Sequence, residues 1–136
     1  ALAALGAHHA LVVYGEPGLD EIYPLGCTRV LEVRGGEISE WTIEPAAVRF
    51  APGAASDLAG GPPADNARTV VEVLRGRRGG AARTAVLLNA AGAIYVSGRA
   101  DSFASALDVA ANALDQGKGI EALDRLRAAG QPGDAP

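Results

Sequence analysis

Residues Ala10 to Ile22, ALVVYGEPGLDEI, run from an unbroken apolar segment into a loop of glycine and proline that ends on two adjacent carboxylates. Val12 and Val13 are β-branched and nothing polar alternates with them, so the segment predicts a strand buried on both faces, as in a parallel sheet. Gly15 closes it. Upstream, Leu2 and Leu5 stand at i and i+3 and Gly6 suits a helix C-cap. Residues 1–6 are therefore expected to be the last turn of a helix whose start precedes the chain. A helix end feeding a buried strand is the closing half of a strand–helix–strand unit, which sets the expected class as α/β.

Working outward, Thr28 to Val33 and Ile38 to Ile43 are β-rich runs around Gly35 and Gly36, the pattern of a hairpin, with Trp41 expected to cover one face. Pro45 to Gly61 lacks periodicity and predicts a connecting loop. Three helices are expected next. Pro63 to Arg75 carries Ala67, Val70, Val71 and Leu74 at helical spacing, with proline at the start and Gly76 beyond the end. Ala81 to Val96 is apolar on nearly every side, as a buried helix must be, and its small residues allow close packing. Asp101 or Ser102 can cap a third helix bearing Phe103, Ala106, Leu107, Ala110 and Leu114. Gly117 and Gly119 break it, and Ile120, Leu123 and Leu126 predict a short fourth. Residues 1–130 are read as one unit, and 131–136, rich in glycine and proline, as a frayed tail.

With 136 residues the chain can hold a real core, and 49 % apolar against 21 % charged residues excludes a disordered class. The formal net charge of −4 argues against bulk attraction to nucleic acid. Cys27 is the single cysteine, so an internal disulfide is excluded and a reducing, cytoplasmic setting is expected. No run approaches the roughly 18 apolar residues of a membrane span.

Among candidate sites, Asp20 and Glu21 have two readings. They are a solvated loop pair, or they converge on a cation at the C-terminal end of a strand, where open α/β sheets bind ligands. Mg²⁺ takes one or two carboxylates, keeps several waters and shares substrate phosphates. His8 and His9 are adjacent and expected to point apart, which does not suit a shared metal. Arg75, Arg77, Arg78 and Arg83 are read as a solvated turn that neutralises a helix C-terminus, with a phosphate or RNA contact as the alternative. Asn89, inside the apolar helix, is expected to clamp a neighbouring loop. Cys27 has no activating neighbour in sequence.

Together LGAHHALVVYGEPGLDEI (residues 5–22), PLGCTRVLEVRGGEI (24–38) and LAGGPPADNARTVVEVLRGRRGGAARTAVLLNAAGAIYVSG (58–98) resemble the C-terminal part of the anthranilate phosphoribosyltransferase family. The resemblance implies a portion of the large α/β domain of a two-domain fold of the nucleoside phosphorylase and phosphoribosyltransferase type. It implies transfer of a phosphoribosyl group from phosphoribosyl pyrophosphate to anthranilate, a step of tryptophan synthesis, by a homodimeric enzyme. It makes Asp20 and Glu21 ligands of a Mg²⁺ ion that engages the pyrophosphate, as metal anchors and not as acid or base. Tyr14, Tyr23 and Cys27 depart from the family's usual histidine, small hydroxyl residue and proline. The family's glycine-rich phosphate loop, basic loop and anthranilate-contacting arginine belong upstream of the matched region. Substrate-binding residues, and an N-terminal part of the enzyme to supply them, are therefore expected outside this chain. A same-fold transferase or phosphorylase with another acceptor, or a non-catalytic nucleic-acid binder, are the alternatives.

Overall fold

The computed structural model describes residues 1–16, 18–44 and 53–130. Three strands, β1 (His9–Gly15), β2 (Thr28–Arg34) and β3 (Glu37–Ile43), form one antiparallel sheet in the order β1-β2-β3. Four helices follow: α1 (Pro63–Leu74), α2 (Gly80–Val96), α3 (Phe103–Asp115) and α4 (Lys118–Ala129). The loop expected over 45–61 lies partly outside the described residues, and its described part holds a 3-10 turn, Ala55–Leu58. The tail at 131–136 also lies outside them. Among the described residues no helix is long and apolar enough to cross a membrane.

The hairpin forms as its glycines require. Arg34 pairs with Glu37, leaving Gly35 and Gly36 as a two-residue turn with φ of 59° and 87°. Two successive positive φ values match the twist of the flanking strands and are accessible at little cost to glycine alone. The N-terminal residues form a turn with the bonds of a helix cap. Ala7 N–H donates to the Leu2 carbonyl and Gly6 N–H to that of Ala3, with Gly6 at φ 81°, the bond pattern of a Schellman cap.

The sequence reading of β1 needs correction. Its partner is β2, antiparallel, with Val13 opposite Val30 and Gly15 opposite Thr28, and among the described residues its other edge carries no strand, only a bridge from Gly15 to Leu19. Only one face is covered. Leu11 and Val13 pack on the core while Val12 and Tyr14 are each about half exposed. An apolar run shows that a strand carries apolar side chains on both faces, but it holds no information about the direction of the partner.

The covered face is built from β2 residues Thr28, Val30 and Glu32, flanked by Leu11 and Val13 of β1 and by Trp41 and Ile43 of β3. Against it lies α2, which buries Leu87, Leu88, Ala91 and Tyr95 among others and is apolar nearly all round. Gly92 is part of why it can approach. A Cβ there would stand 3.3 Å from Ile22 Cδ1. On the far side, α3 meets α2 through Ala106, Leu107, Ala110 and Leu114. Ser102, not Asp101, caps α3. Its Oγ accepts from Ser105 N–H at 3.1 Å, and Ser105 Oγ accepts in return from Ser102 N–H at 3.1 Å.

Leu87 is fully buried between the layers. Leu87→Ala is expected to lower unfolding stability by about 2–5 kcal/mol, read from the denaturant midpoint at constant m. A loss below about 1 kcal/mol, typical of partly exposed sites, would contradict this place in the core.

Candidate metal and substrate loop

The loop from Glu16 to Cys27 leaves β1 and returns to β2, and its backbone is held at several points. Gly15 N–H donates to the Leu19 carbonyl at 2.9 Å, forming a small bridge, and Leu19 N–H donates back to the Gly15 carbonyl at 2.7 Å. Glu16 N–H reaches the Cys27 carbonyl, and Tyr23 N–H reaches Thr28 Oγ1 at 2.9 Å. Between these ties, Ile22 is buried to 2 % exposure and both its backbone polar groups are taken by one side chain. Asn89 Oδ1 accepts the Ile22 N–H at 3.0 Å, and Asn89 Nδ2 donates to the Ile22 carbonyl at 3.1 Å. The clamp expected of Asn89 is thus present. Gly15 must be bare for this path: a Cβ there would fall 2.7 Å from the Glu21 carbonyl oxygen and 2.8 Å from Tyr23 Cβ.

Asp20 and Glu21 ride on the held backbone with exposed side chains. Among the described residues neither carboxylate enters an ion pair or accepts a hydrogen bond from protein. Among the same residues no group of three or more His, Cys, Asp or Glu is placed to hold a metal. The donor set is therefore a pair. That is too few for a closed zinc site, but it fits Mg²⁺, which completes its octahedron with water and phosphate oxygens. Along the same loop runs a cleft of about 320 Å³ lined by Gly18, Leu19, Tyr23, Ala55, Leu58 and Ala59. The departure at Tyr23 thus lines this cleft, while Tyr14 projects from the outer face of the sheet.

Other sequence candidates fall elsewhere. Of the four arginines, Arg75 and Arg77 are exposed at the turn, while Arg78 and Arg83 are engaged. Arg78 donates to Thr69 Oγ1 and to the Asp57 carbonyl, tying α1 to the 3-10 turn, and Arg83 pairs with Asp115 at 2.7 Å. Burial first, then a hydrogen bond and the charge of Glu44, raise the Cys27 thiol above its ordinary value, so it is not poised as a thiolate. The two histidines separate: His8 is exposed, and His9 enters the core.

His9 leads to a network that the sequence reading missed. Glu32 is almost fully buried under the sheet. Its Oε1 accepts from the Tyr95 hydroxyl at 2.9 Å and lies 2.8 Å from His9 Nε2, and its Oε2 accepts from Trp41 Nε1–H at 2.8 Å. Arg34 donates to the Tyr95 oxygen at 3.3 Å. Burial drives the Glu32 carboxyl upward, but the bonds from Tyr95, His9 and Trp41, with the His9 charge, outweigh it and hold the carboxyl below its usual range. Tyr95 is raised, by burial and by donating to Glu32, and so stays a neutral donor. A signal was available: Glu32 shares strand parity with Thr28 and Val30, and a charge on a buried parity needs partners.

With this geometry in place, comparison with known proteins is informative. A family described as "Glycosyl transferase family, a/b domain" matches residues 1–120, and the chain belongs to it. Within that class, it is 47 % identical over 128 residues to the anthranilate phosphoribosyltransferase of Anaeromyxobacter sp. (strain K), covering 94 % of this chain and 37 % of the relative. The crystal structure of anthranilate phosphoribosyltransferase from Thermus thermophilus superposes with a TM-score of 0.80 at 33 % identity, covering 91 % of this chain and 36 % of that one. The same fold, at 24 % identity and a TM-score of 0.73, is found in the Saccharomyces cerevisiae enzyme in complex with PRPP and Mg, over 85 % of this chain and 33 % of that one. The chain spans about a third of the length of these relatives.

Glu32→Gln leaves at least one of the three donors without an acceptor, and is expected to cost about 1–3 kcal/mol at pH 7. Because the folded carboxyl is held low, the unfolded chain takes up the proton first as pH falls. The wild type's advantage is therefore full above about pH 5 and shrinks as pH drops through the ordinary carboxylate value of about 4.3 toward the lower folded one. Urea midpoints of both proteins from pH 7 to 3 read this; a gap that does not narrow on acidification contradicts it.

Proposed function

We propose that this chain is the metal-holding portion of an anthranilate phosphoribosyltransferase, with residues 1–130 forming the C-terminal part of its α/β domain and Asp20 and Glu21 anchoring Mg²⁺. The observation that carries the reading is the pair of unengaged carboxylates on a backbone fixed from both sides. Support comes from the family match across residues 1–120 and from similarity to curated enzymes of that name. The yeast enzyme's structure with PRPP and Mg supports the cofactor at the level of the fold.

In this reading the work of the chain is electrostatic and positional. A Mg²⁺ ion held by Asp20 and Glu21 would supply positive charge beside the pyrophosphate leaving group. Asp20 and Glu21 supply two anionic oxygens and leave the remaining positions to water and phosphate. Gly15 lets the Glu21 backbone come close, and the bonds on either side hold the backbone that carries the pair. Holding reactants in place in this way is where much of the rate of such a transfer arises. The remaining contacts to phosphoribosyl pyrophosphate and anthranilate are assigned to the part of the enzyme that this chain does not span. Tyr23, on the cleft beside the pair, favours one variation: the same chemistry with another amine as acceptor.

The test uses the complete protein that carries this chain. Loss of anthranilate fluorescence in the presence of phosphoribosyl pyrophosphate is expected to require Mg²⁺. In Asp20→Asn/Glu21→Gln the Mg²⁺ needed for half-maximal rate should rise at least about tenfold, the scale seen when even an outer partner of a metal ligand is removed. An unchanged Mg²⁺ requirement would sink the metal assignment. Mg²⁺-dependent release of pyrophosphate with an amine other than anthranilate would instead reassign the acceptor.

A further inference from the structure

We infer that Asn89 is a positioning residue for the metal pair: by taking both backbone polar groups of Ile22, it fixes the backbone that carries the Asp20–Glu21 carboxylates before any metal arrives. This rests on the reading of Asp20 and Glu21 as the metal-holding pair.

Asp20 and Glu21 occupy a two-residue span. On one side Leu19 is tied to Gly15 in both directions, at 2.9 and 2.7 Å. On the other side Ile22 is tied to Asn89 in both directions, at 3.0 and 3.1 Å. The Asn89 amide pairs with Ile22 as a neighbouring strand would, though Ile22 lies in no strand. Asn89 is itself steadied, because Nδ2 also donates to the Ala85 carbonyl one turn back at 2.9 Å. One turn further along α2, bare Gly92 gives the Ile22 side chain its seat. The clamp thus ties the residue after Glu21 to the helix with the most buried residues among those described.

Two side chains can still swing on such a backbone, but their Cα–Cβ directions cannot. A cation that takes only two protein ligands gains most from that restriction, because each ligand ordered in advance need not be ordered on binding. A loop held for stability alone has no need of two free carboxylates between its ties. Among the described residues no cationic side chain stands within ion-pair distance of either carboxylate.

The experiment is a Mn²⁺ titration followed by electron paramagnetic resonance, with the metal alone as probe, on the complete protein. Four proteins are compared: wild type, Asn89→Ala, Leu87→Ala and Asp20→Asn/Glu21→Gln. Asn89→Ala is expected to weaken Mn²⁺ binding about 10- to 100-fold, as loss of an outer-layer partner does. Leu87→Ala, destabilised through the core and with the clamp intact, is expected to bind Mn²⁺ as the wild type does. A weakening of the same size in Leu87→Ala would reduce Asn89 to a structural role and overturn the proposal, as would wild-type affinity in Asn89→Ala. If the wild type binds no Mn²⁺, or the double carboxylate variant binds it unchanged, the metal reading itself fails, and the inference with it. Should Asn89→Ala not fold, Asn89→Asp is read in the same way: it keeps an acceptor for the Ile22 N–H and loses the donor to its carbonyl. The wild type also tests the idea without substitution. Its Ile22 amide is expected to exchange slowly with solvent before metal is added, and free exchange there would overturn it.

Discussion

The close seating of α2 is the constraint on which the rest of the structure depends. Its small residues let it lie against the sheet on one side and α3 on the other, and Gly92 lets Ile22 press onto its surface. Three consequences follow from that one approach. The apolar core closes over Leu87, Leu88 and Ala91. Tyr95 comes within reach of Glu32 at 2.9 Å. Asn89 comes within reach of the loop after β1. A bulkier face on α2 would hold all three apart together, because a close-packed interior has no slack to absorb the added volume.

Much of this was legible in order along the chain. The hairpin was written in Gly35 and Gly36, whose positions between two β-rich runs leave few alternatives. Helical spacing of apolar residues marked α1, α3 and α4, and the all-round apolar character of α2 announced its central place. The N-terminal cap at Gly6 was readable from two leucines and a glycine. The direction of strand pairing was not readable. Apolar pattern reports burial, whereas the partner of β1 is chosen by the path of the loop from Glu16 to Cys27, which no short-range rule encodes.

The site was half legible for a similar reason. Local chemistry picked out the carboxylate pair and the buried amide as separate features, and their connection spans 67 residues of sequence. Only the fold joins Asn89 to the residue beside Glu21. The Glu32 network was missed because each member looks ordinary alone: a histidine at a strand start, a tryptophan in a hairpin, a tyrosine late in a helix. Together they make a buried charge tolerable, with three donors meeting one carboxylate. Among the described residues no buried side-chain nitrogen or oxygen lacks a partner.

Trp41 is the only tryptophan in this sequence. Its indole nitrogen is bonded to Glu32, and its ring stands edge-on to Phe103 of α3, with centroids 5.7 Å apart. One chromophore therefore spans the seam where the hairpin docks on the helical layer. Its excited state senses the field of a buried carboxylate and the tightness of an aromatic contact, and it lies on the strand remote from the loop that carries Asp20 and Glu21. In this chain, ultraviolet emission is an optical gauge of whether sheet and helices are still joined, and a ligand settling on the carboxylate loop need not move it.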